Sequence, residues 1–214
     1  VLMSNVQDLD LTAQEVITES ERHHYDYLVL ACGAKHSYFG NEHWESDAPG
    51  LKTLEQAIEM RRSILTSFEK AEREPDPKNF KRYLTFVVIG GGPTGVELAG
   101  AIGEISRFTL SKDFRRINPG SAQIILIEAG DRILSSFDPR LSLKATYTLK
   151  QLGVQVWTNS RVTEVTHEGV YVGKEFLETE TVLWAAGVKP SSLNQNIPGP
   201  KDSHDRITVN SDLS

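Results

Sequence analysis

The sequence predicts an α/β fold, namely a Rossmann-like domain of three layers built from a parallel sheet, helices and a β-meander. Strand-like and helix-like segments alternate over residues 54–187, an order typical of a parallel sheet covered by helices. A hairpin pattern around Glu168-Gly169 interrupts this alternation and predicts the meander. Short strand patterns near the amino terminus predict a further, β-rich region.

Three strand patterns open the chain, and they cover Leu2–Val6, Glu15–Thr18 and Tyr25–Ala34. Polar turns separate them, as in an antiparallel meander. The third pattern is apolar almost throughout, so we expect a strand that is buried on both faces. Residues 36–50 are rich in Gly, Pro, His and aromatic residues and are interpreted as a connector.

Two helices carry clear start and stop signals. Thr53 is expected to cap a helix with apolar residues at helical spacing, and the segment Glu74–Pro77 ends it. Asp138 followed by Pro139 predicts a second helix start, and Gly153 a matching stop. The strand patterns that follow are Val154–Trp157 and Thr181–Gly187.

A glycine motif lies between a strand pattern and a helix pattern. Phe86–Ile89 is apolar, and Gly90-x-Gly92-x-x-Gly95 follows it directly. In such a unit the first glycine permits a tight turn, the second lets a pyrophosphate approach the backbone, and the third allows close helix packing. The helix N–H groups and dipole then face the phosphates. We predict a nicotinamide dinucleotide site, and the loop residues expected to bind it are Gly90, Gly91, Gly92, Pro93, Thr94 and Gly95.

The next strand pattern ends at a carboxylate. Residues 123–127 are apolar apart from the first, and Glu128 follows, next to Ala129. A carboxylate at this place accepts hydrogen bonds from the adenosine ribose and repels a 2′-phosphate, which favours NADH over NADPH. Glu128 lies 33 residues beyond Gly95, where about 20 is usual, and a charged insertion over Ser111–Ser121 accounts for the excess. Arg132 leaves phosphate tolerance open, and a merely solvated Glu128 is the alternative.

Composition excludes several function classes. The chain has 23 basic and 29 acidic residues, a net charge of −6, and no basic stripe, which argues against a nucleic-acid surface. One cysteine excludes an internal disulfide framework and fits a reducing, cytoplasmic compartment. The six histidines are scattered, so we predict no metal. We find no signal peptide and no apolar run of the roughly 20 residues that a membrane helix needs.

Three patterns together resemble the two-dinucleotide flavoprotein reductases, the FAD-dependent pyridine nucleotide-disulfide oxidoreductase superfamily. They are Tyr-Asp-x-Leu-Val-x-Ala-x-Gly at residues 25–33, the glycine motif with Val-Glu-Leu-Ala, and Ala-Ala-Gly-Val-x-Pro at residues 185–190. More narrowly, segments 36–40, 48–54, 91–100 and 182–188 are similar to bacterial type II NADH dehydrogenases, the single-subunit NADH:quinone oxidoreductases of respiratory chains. The resemblance covers nearly the whole chain.

The resemblance implies two cofactors and a domain plan. Residues 1–35 would be a remnant of an FAD domain, residues 36–190 an NADH-binding domain, and residues 191–214 a return segment toward the FAD domain. NADH would give hydride to FAD, and the electrons would pass on to quinone. We interpret the chain as a piece of a longer protein, because Val1 is not a start methionine and the strand-like pattern of Arg206–Ser214 ends without a cap.

Other features follow from the same resemblance. The family's first glycine motif, its Gly-Asp flavin motif and its membrane-binding, quinone-pocket helices are not found in this sequence. The chain by itself is therefore expected to bind NADH, hold FAD poorly and not turn over. The full-length protein would lie peripherally on the inner face of the cytoplasmic membrane, and a homodimer is left open.

The resemblance also implies site roles that have structural alternatives. Glu97 would lie near the nicotinamide and flavin rings, or it would form a capping box with Thr94, three residues earlier. Cys32 is interpreted as a packing residue rather than a reactive thiol. Small residues would pass close to the cofactors, or would only allow close strand packing, at Ala31, Gly33, Ala186 and Gly187.

Other functions remain open at this point. A flavoprotein reductase with ferredoxin, rubredoxin or a disulfide as acceptor would carry the same glycine motif, although a disulfide reductase needs a cysteine pair. A non-catalytic module that senses NADH by a conformational shift is another alternative.

Overall fold

The computed structural model describes residues 1–203 and 205–213. They divide into two compact units, of which unit 1 comprises Val1–Ser37 and Val188–Ser214 and unit 2 comprises Tyr38–Gly187. The boundaries expected from the sequence lie two to three residues away from these, after residues 35 and 190. The two units are defined by their compactness and not by the cofactor that each would bind.

Unit 2 contains four helices and seven strands in its described residues. The helices are α1 Leu54–Arg73, α2 Phe80–Tyr83, α3 Pro93–Glu104 and α4 Pro139–Gln151. Unit 1 contributes β1 Val6–Asp10, β2 Glu15–Thr18, β3 Arg22–His24, β4 Ala34–His36 and β12 Val188–Pro190. The strands of unit 2 are β5 Thr85–Ile89, β6 Gln123–Ile127, β7 Val154–Trp157, β8 Val162–Thr166, β9 Gly169–Val172, β10 Glu175–Glu178 and β11 Thr181–Trp184.

A four-stranded parallel sheet forms the centre of unit 2. Its order is β11-β5-β6-β7, and each neighbouring pair is parallel and in continuous register. The strand order reverses at β5, because β6 lies on one side of it and β11 on the other. In open α/β sheets this switch point, at the carboxyl ends of the strands, is where ligands bind.

The two faces of this sheet are buried against different layers. Phe86 and Val88 of β5 point to a core shared with α1, α3 and α4, whereas Val87 and Ile89 point to a second core with Val165 and Val170 of the β8-β9-β10 sheet. Successive strand residues alternate between faces, so an apolar run such as Phe86–Ile89 covers both. This arrangement of helices, parallel sheet and meander confirms the three-layer fold.

Local signals set the ends of the long helices as expected. Thr53 and Gln56 form a reciprocal capping box at the start of α1. The Asp138 side chain accepts a hydrogen bond from the Arg140 N–H at the start of α4, with Pro139 at its first position. Gly153 follows α4 with a φ of +77°, a left-handed conformation that suits glycine.

The insertion over residues 111–121 is held by one carboxylate. Glu72, on α1, accepts hydrogen bonds from the backbone N–H groups of Arg115, Arg116 and Ile117 at 2.9–3.1 Å. The expected loop is therefore ordered, with a short 3-10 turn at Pro119–Ser121. Desolvation raises the pKa of Glu72, but these backbone donors outweigh it and leave the pKa below its ordinary value.

Unit 1 differs most from the sequence-based expectations. It contains the antiparallel sheet β1-β2-β3 and the antiparallel pair β4-β12. The strand expected over Leu2–Val6 begins only at Val6, because Leu9 rather than Leu2 finds a buried position. The strand expected at Glu15–Thr18 is confirmed. No strand forms over residues 206–213, and Ser214 lies outside the described residues.

The prediction of a buried strand over Tyr25–Ala34 is wrong. Residues 25–33 are irregular, and Tyr27 and Val29 are 94% and 87% exposed. A strand needs hydrogen-bonding neighbours on its edges, and none of the described strands pairs with this segment. Only its last residue enters a strand, β4.

Glu72→Gln is expected to flatten the dependence of stability on acid pH. The folded pKa of Glu72 lies below its unfolded value of 4.5, so its contribution is complete above that pH and is lost as pH falls toward the folded pKa. The melting temperature, followed by circular dichroism from pH 7 to pH 3, should therefore fall less steeply in the variant than in the wild type.

The matched control is Glu69→Gln. Glu69 is exposed on the same helix and its partner is Arg73, one turn away at 3.3 Å, so its removal should leave the pH profile nearly unchanged. Parallel curves for wild type and Glu72→Gln would contradict the anchoring role.

Candidate functional site

The glycine loop after β5 packs directly on the end of β11. Gly90 has a φ of +111°, and a Cβ added there would lie 2.5 Å from backbone atoms of Ala185 and Ala186. Its N–H donates to the carbonyl of Ile127 at 2.8 Å. Both the conformation and the lack of space exclude a side chain at this position, so the loop runs along the sheet edge as backbone alone.

The first turn of α3 also packs on this loop. A Cβ at Gly95 would lie 1.8 Å from the Gly90 carbonyl oxygen, whereas a Cβ at Gly92 would meet no atom within 4 Å. The space in front of α3 is therefore open. Helix geometry leaves the N–H groups of Thr94 and Gly95 without acceptors inside the helix. Pro93 has no backbone N–H. This open helix start fits a bound phosphate group.

The prediction of a capping box formed by Thr94 and Glu97 is wrong. Helix α3 begins at Pro93, its N-cap is Gly92, and no side chain caps it. Proline favours the first helical position because its φ is already helical and its missing N–H costs no hydrogen bond there. The helix therefore starts one residue before Thr94, which places both side chains inside it.

Glu128 lies at the sheet edge, directly after β6, and its side chain binds the glycine loop. Its carboxylate accepts hydrogen bonds from the N–H groups of Gly91 and Gly130, each at 2.7 Å. A Cβ at Gly91 would lie 2.9 Å from this carboxylate and 2.8 Å from Ile133 Cγ2. Glu128 is half-buried and Ala129 beside it is exposed. Each oxygen keeps a lone pair for a further donor, so the carboxylate can still receive a ribose hydroxyl.

The Arg132 side chain is used to hold the following loop. Its guanidinium donates to the carbonyls of Leu134 and Phe137 and to Ser142 Oγ at 2.8–3.1 Å. A fourth bond, to the Ser135 carbonyl, engages the other terminal nitrogen. These contacts commit most of the guanidinium N–H groups to the loop.

The segment after β11 lies at the opposite side of the glycine loop from Glu128. The Ala185 N–H donates to the Ile89 carbonyl at 2.7 Å, which keeps Ala186 and Gly187 at the carboxyl end of the sheet. A Cβ at Gly187 would lie 2.8 Å from the ring of Phe39. The sequence analysis assigned no role to Phe39. Its place in the turn sequence Tyr-Phe-Gly-Asn is the signal that could have identified it.

The remaining candidates are Glu97 and the residues near the amino terminus. Ala31, Cys32 and Gly33 belong to unit 1. Ala31 and Cys32 are exposed, so Cys32 is not the buried packing residue expected from the sequence. Glu97 is exposed on α3, where it lines a groove of about 580 Å³ against Lys144 of α4.

Two further observations concern the described part of the chain. No group of three or more His, Cys, Asp or Glu side chains within it is arranged to hold a metal ion. None of its helices is both long and apolar enough to cross a membrane.

The fold and this sheet edge define a Rossmann-like α/β protein, and sequence comparison places it more narrowly. The chain belongs to the pyridine nucleotide-disulphide oxidoreductase family, whose profile matches residues 1–214. It is 38% identical to the type II NADH:quinone oxidoreductase Ndh of Mycobacterium tuberculosis over 100% of this chain and 49% of that protein. For NdhA of the same organism the identity is 39%, over 100% and 48%.

The fold is shared with solved structures. NDH2 from Plasmodium falciparum in complex with NADH superposes with a TM-score of 0.84 at 23% identity, over 97% of this chain and 45% of that one. A ferredoxin reductase from Rhodopseudomonas palustris gives a TM-score of 0.67 at 19% identity, over 88% and 41%. The chain spans about half the length of the two curated relatives.

Gly95→Ala is expected to destabilise unit 2 strongly, because its Cβ would overlap the Gly90 carbonyl oxygen at 1.8 Å. A loss of about 3 kcal/mol or more in the free energy of unfolding, or failure to fold, is the expected result. Urea denaturation followed by circular dichroism measures it.

Gly100→Ala is the matched control in the same helix. Its Cβ would meet Leu149 and Leu152 at 3.7–3.8 Å, ordinary contact distances, so it should leave the free energy of unfolding unchanged or raise it by up to about 1 kcal/mol. Equal effects of the two substitutions would argue against the close packing of α3 on the loop.

Proposed function

We propose that this chain is the NADH-binding part of a type II NADH:quinone oxidoreductase. The observation that carries the proposal is the open helix start at Gly92, located at the switch point of the sheet and flanked by Glu128. The identity to the two mycobacterial enzymes supports the same substrate and acceptor. When bound, FAD would supply the redox chemistry between NADH and quinone.

The residues of unit 2 would divide the work of binding. The N–H groups at the start of α3 would hold the pyrophosphate, with Gly92 leaving room for it. Glu128, beside Ala129, would accept the hydroxyl groups of the adenosine ribose and repel a 2′-phosphate. Ala186 and Gly187 would admit the nicotinamide half at the end of β11. The chain's own contribution is thus orientation and electrostatics, not proton transfer.

The proposal assigns residues 36–190 to the NADH-binding domain and the two flanking segments to an FAD domain. The apolar segment 25–33 has the composition of a buried strand yet pairs with none of the described strands, as expected of a segment whose partners belong to another part of a longer protein. Ala31 and Gly33 would pass close to FAD there. Glu97 would lie near the reacting rings when the domains are assembled.

Several properties would belong to the longer protein. Quinone reduction, attachment to the inner face of the cytoplasmic membrane and a homodimer would depend on segments that the relatives have and this chain does not span. The 214-residue chain would bind NADH, hold FAD weakly and show no turnover.

Titration with NADH and NADPH tests the proposal. Binding is followed by quenching of the three tryptophans in the wild type and in Glu128→Gln, which removes the charge while keeping one acceptor oxygen. We expect NADH to bind more tightly than NADPH, and the preference to fall about tenfold in the variant, because hydrogen bonds to a charged group contribute about 1.5–3 kcal/mol.

Asp131→Asn is the matched control. This exposed carboxylate lies three residues beyond Glu128, so its loss should leave the NADH preference unchanged. Melting temperatures of all variants show whether the loop is intact. Failure of the wild type to bind either nucleotide would refute the proposal, and a stoichiometric, tightly bound yellow flavin would refute the expected weak hold on FAD.

A further inference from the structure

Phe39 lies in a turn that an aromatic residue seldom occupies. The Tyr38 carbonyl accepts a hydrogen bond from the Asn41 N–H at 3.1 Å, and the two residues between them have positive φ, +53° for Phe39 and +92° for Gly40. Turns of this kind favour Gly, Asn and Asp at both central positions. A bulky residue in the left-handed region is strained, so the Phe39 side chain is held there at a cost to stability.

The residues around the turn are strongly anchored and hold it in place. Tyr38 is 2% exposed, its ring packs on Trp184 with centroids 4.8 Å apart, and its hydroxyl donates to the Ala48 carbonyl at 2.9 Å. Burial, with the charge of Glu45, raises the pKa of Tyr38 to about 12, so the hydroxyl remains a donor throughout the neutral range. Such over-determined surroundings are what allows local strain to persist, and strain of this kind clusters at functional sites.

The Phe39 ring is directed to the sheet edge instead of the core. It is 66% exposed, although its neighbours Tyr38 and Trp184 are almost fully buried. Its tip lies against Gly187, where an added Cβ would be 2.8 Å from Phe39 Cζ. Its centroid is 6.3 Å from that of Trp184 and the two rings are tilted by 56°, so they do not stack face to face. An anchored and largely exposed aromatic ring is a surface for a planar or apolar ligand group.

The strand order decides which ligand group would reach this ring. Glu128 follows β6 on one side of β5, whereas Gly187 and the Phe39 ring lie at the end of β11 on the other side. A dinucleotide lies across the switch point with its pyrophosphate at the helix start. With the adenosine half toward Glu128, the nicotinamide half is directed toward β11.

We infer that Phe39 is a binding residue for the nicotinamide riboside half of the dinucleotide, and that its exposed ring selects ligands that carry this half over ADP alone. The inference rests on the proposed function and deepens it. It also explains the strained turn, since Asn or Gly at position 39 would form the turn more easily but would present no ring.

Phe39→Asn tests this inference, because asparagine tolerates positive φ and removes the ring. Calorimetric titrations with NADH and with ADP, which lacks the nicotinamide riboside, are compared in the wild type and the variant. We expect the affinity for NADH to fall about fivefold or more and the affinity for ADP to stay within about twofold. The melting temperature should hold or rise, whereas a purely structural ring would lower it on removal.

Two further variants complete the experiment. Phe108→Asn removes a ring of matching exposure, 68%, from the π-helical turn Ile105–Thr109, and should change neither affinity. Phe39→Tyr keeps the ring and should retain the NADH affinity within about twofold.

The outcomes distinguish a failure of the Phe39 role from a failure of the proposed function. Failure of the wild type to bind NADH and ADP would refute the proposed function, and this inference with it. Binding of both ligands by the wild type, with equal losses or no loss in Phe39→Asn, would overturn the role of Phe39 and leave the proposed function standing.

Discussion

At the end of β5, the backbone of the glycine loop is in close contact with the first turn of α3 and with the end of β11. A Cβ added at Gly95 would lie 1.8 Å from the Gly90 carbonyl oxygen. A Cβ added at Gly90 would lie 2.5 Å from backbone atoms of Ala185 and Ala186. This contact brings α3, the glycine loop and the end of β11 together at one point. The open space at Gly92, the place of Glu128 and the position of Gly187 all depend on it, because each lies on a segment that this contact holds.

The sheet that carries these segments is held from both sides. Residues of β5 and β6 alternate between the helical core and the core shared with the meander, so close-packed neighbours hold both faces of each strand. A rigid sheet edge of this kind can position flexible or strained loops, and it is where the candidate binding groups lie. The Tyr38–Trp184 contact extends the same rigidity to the turn that presents Phe39.

Glu128 links the stability of the loop to its chemistry. The same carboxylate that would select NADH also accepts hydrogen bonds from Gly91 and Gly130. These charge-assisted hydrogen bonds keep the side chain at the sheet edge. Substitution at this position therefore acts on the loop and on selectivity together, which is why the melting temperature must accompany any binding measurement.

Much of unit 2 could be predicted from the sequence, because its signals are local. The strands at residues 86–89 and 154–157, the cap at Thr53 and the Asp138-Pro139 helix start each depend on neighbouring residues, and the structure has them all. The glycine spacing also predicted the close approach of helix and strand. The fold class therefore followed from the order of these local patterns along the chain.

Other features were decided by tertiary structure, because they depend on partners far along the chain. The apolar segment 25–33 has the pattern of a strand but not the hydrogen-bonding neighbours that a strand needs. The contact between Phe39 and Gly187 joins residues that are 148 positions apart in sequence. The positive φ of Phe39 is likewise set by its anchored surroundings, because a phenylalanine by itself disfavours the left-handed region.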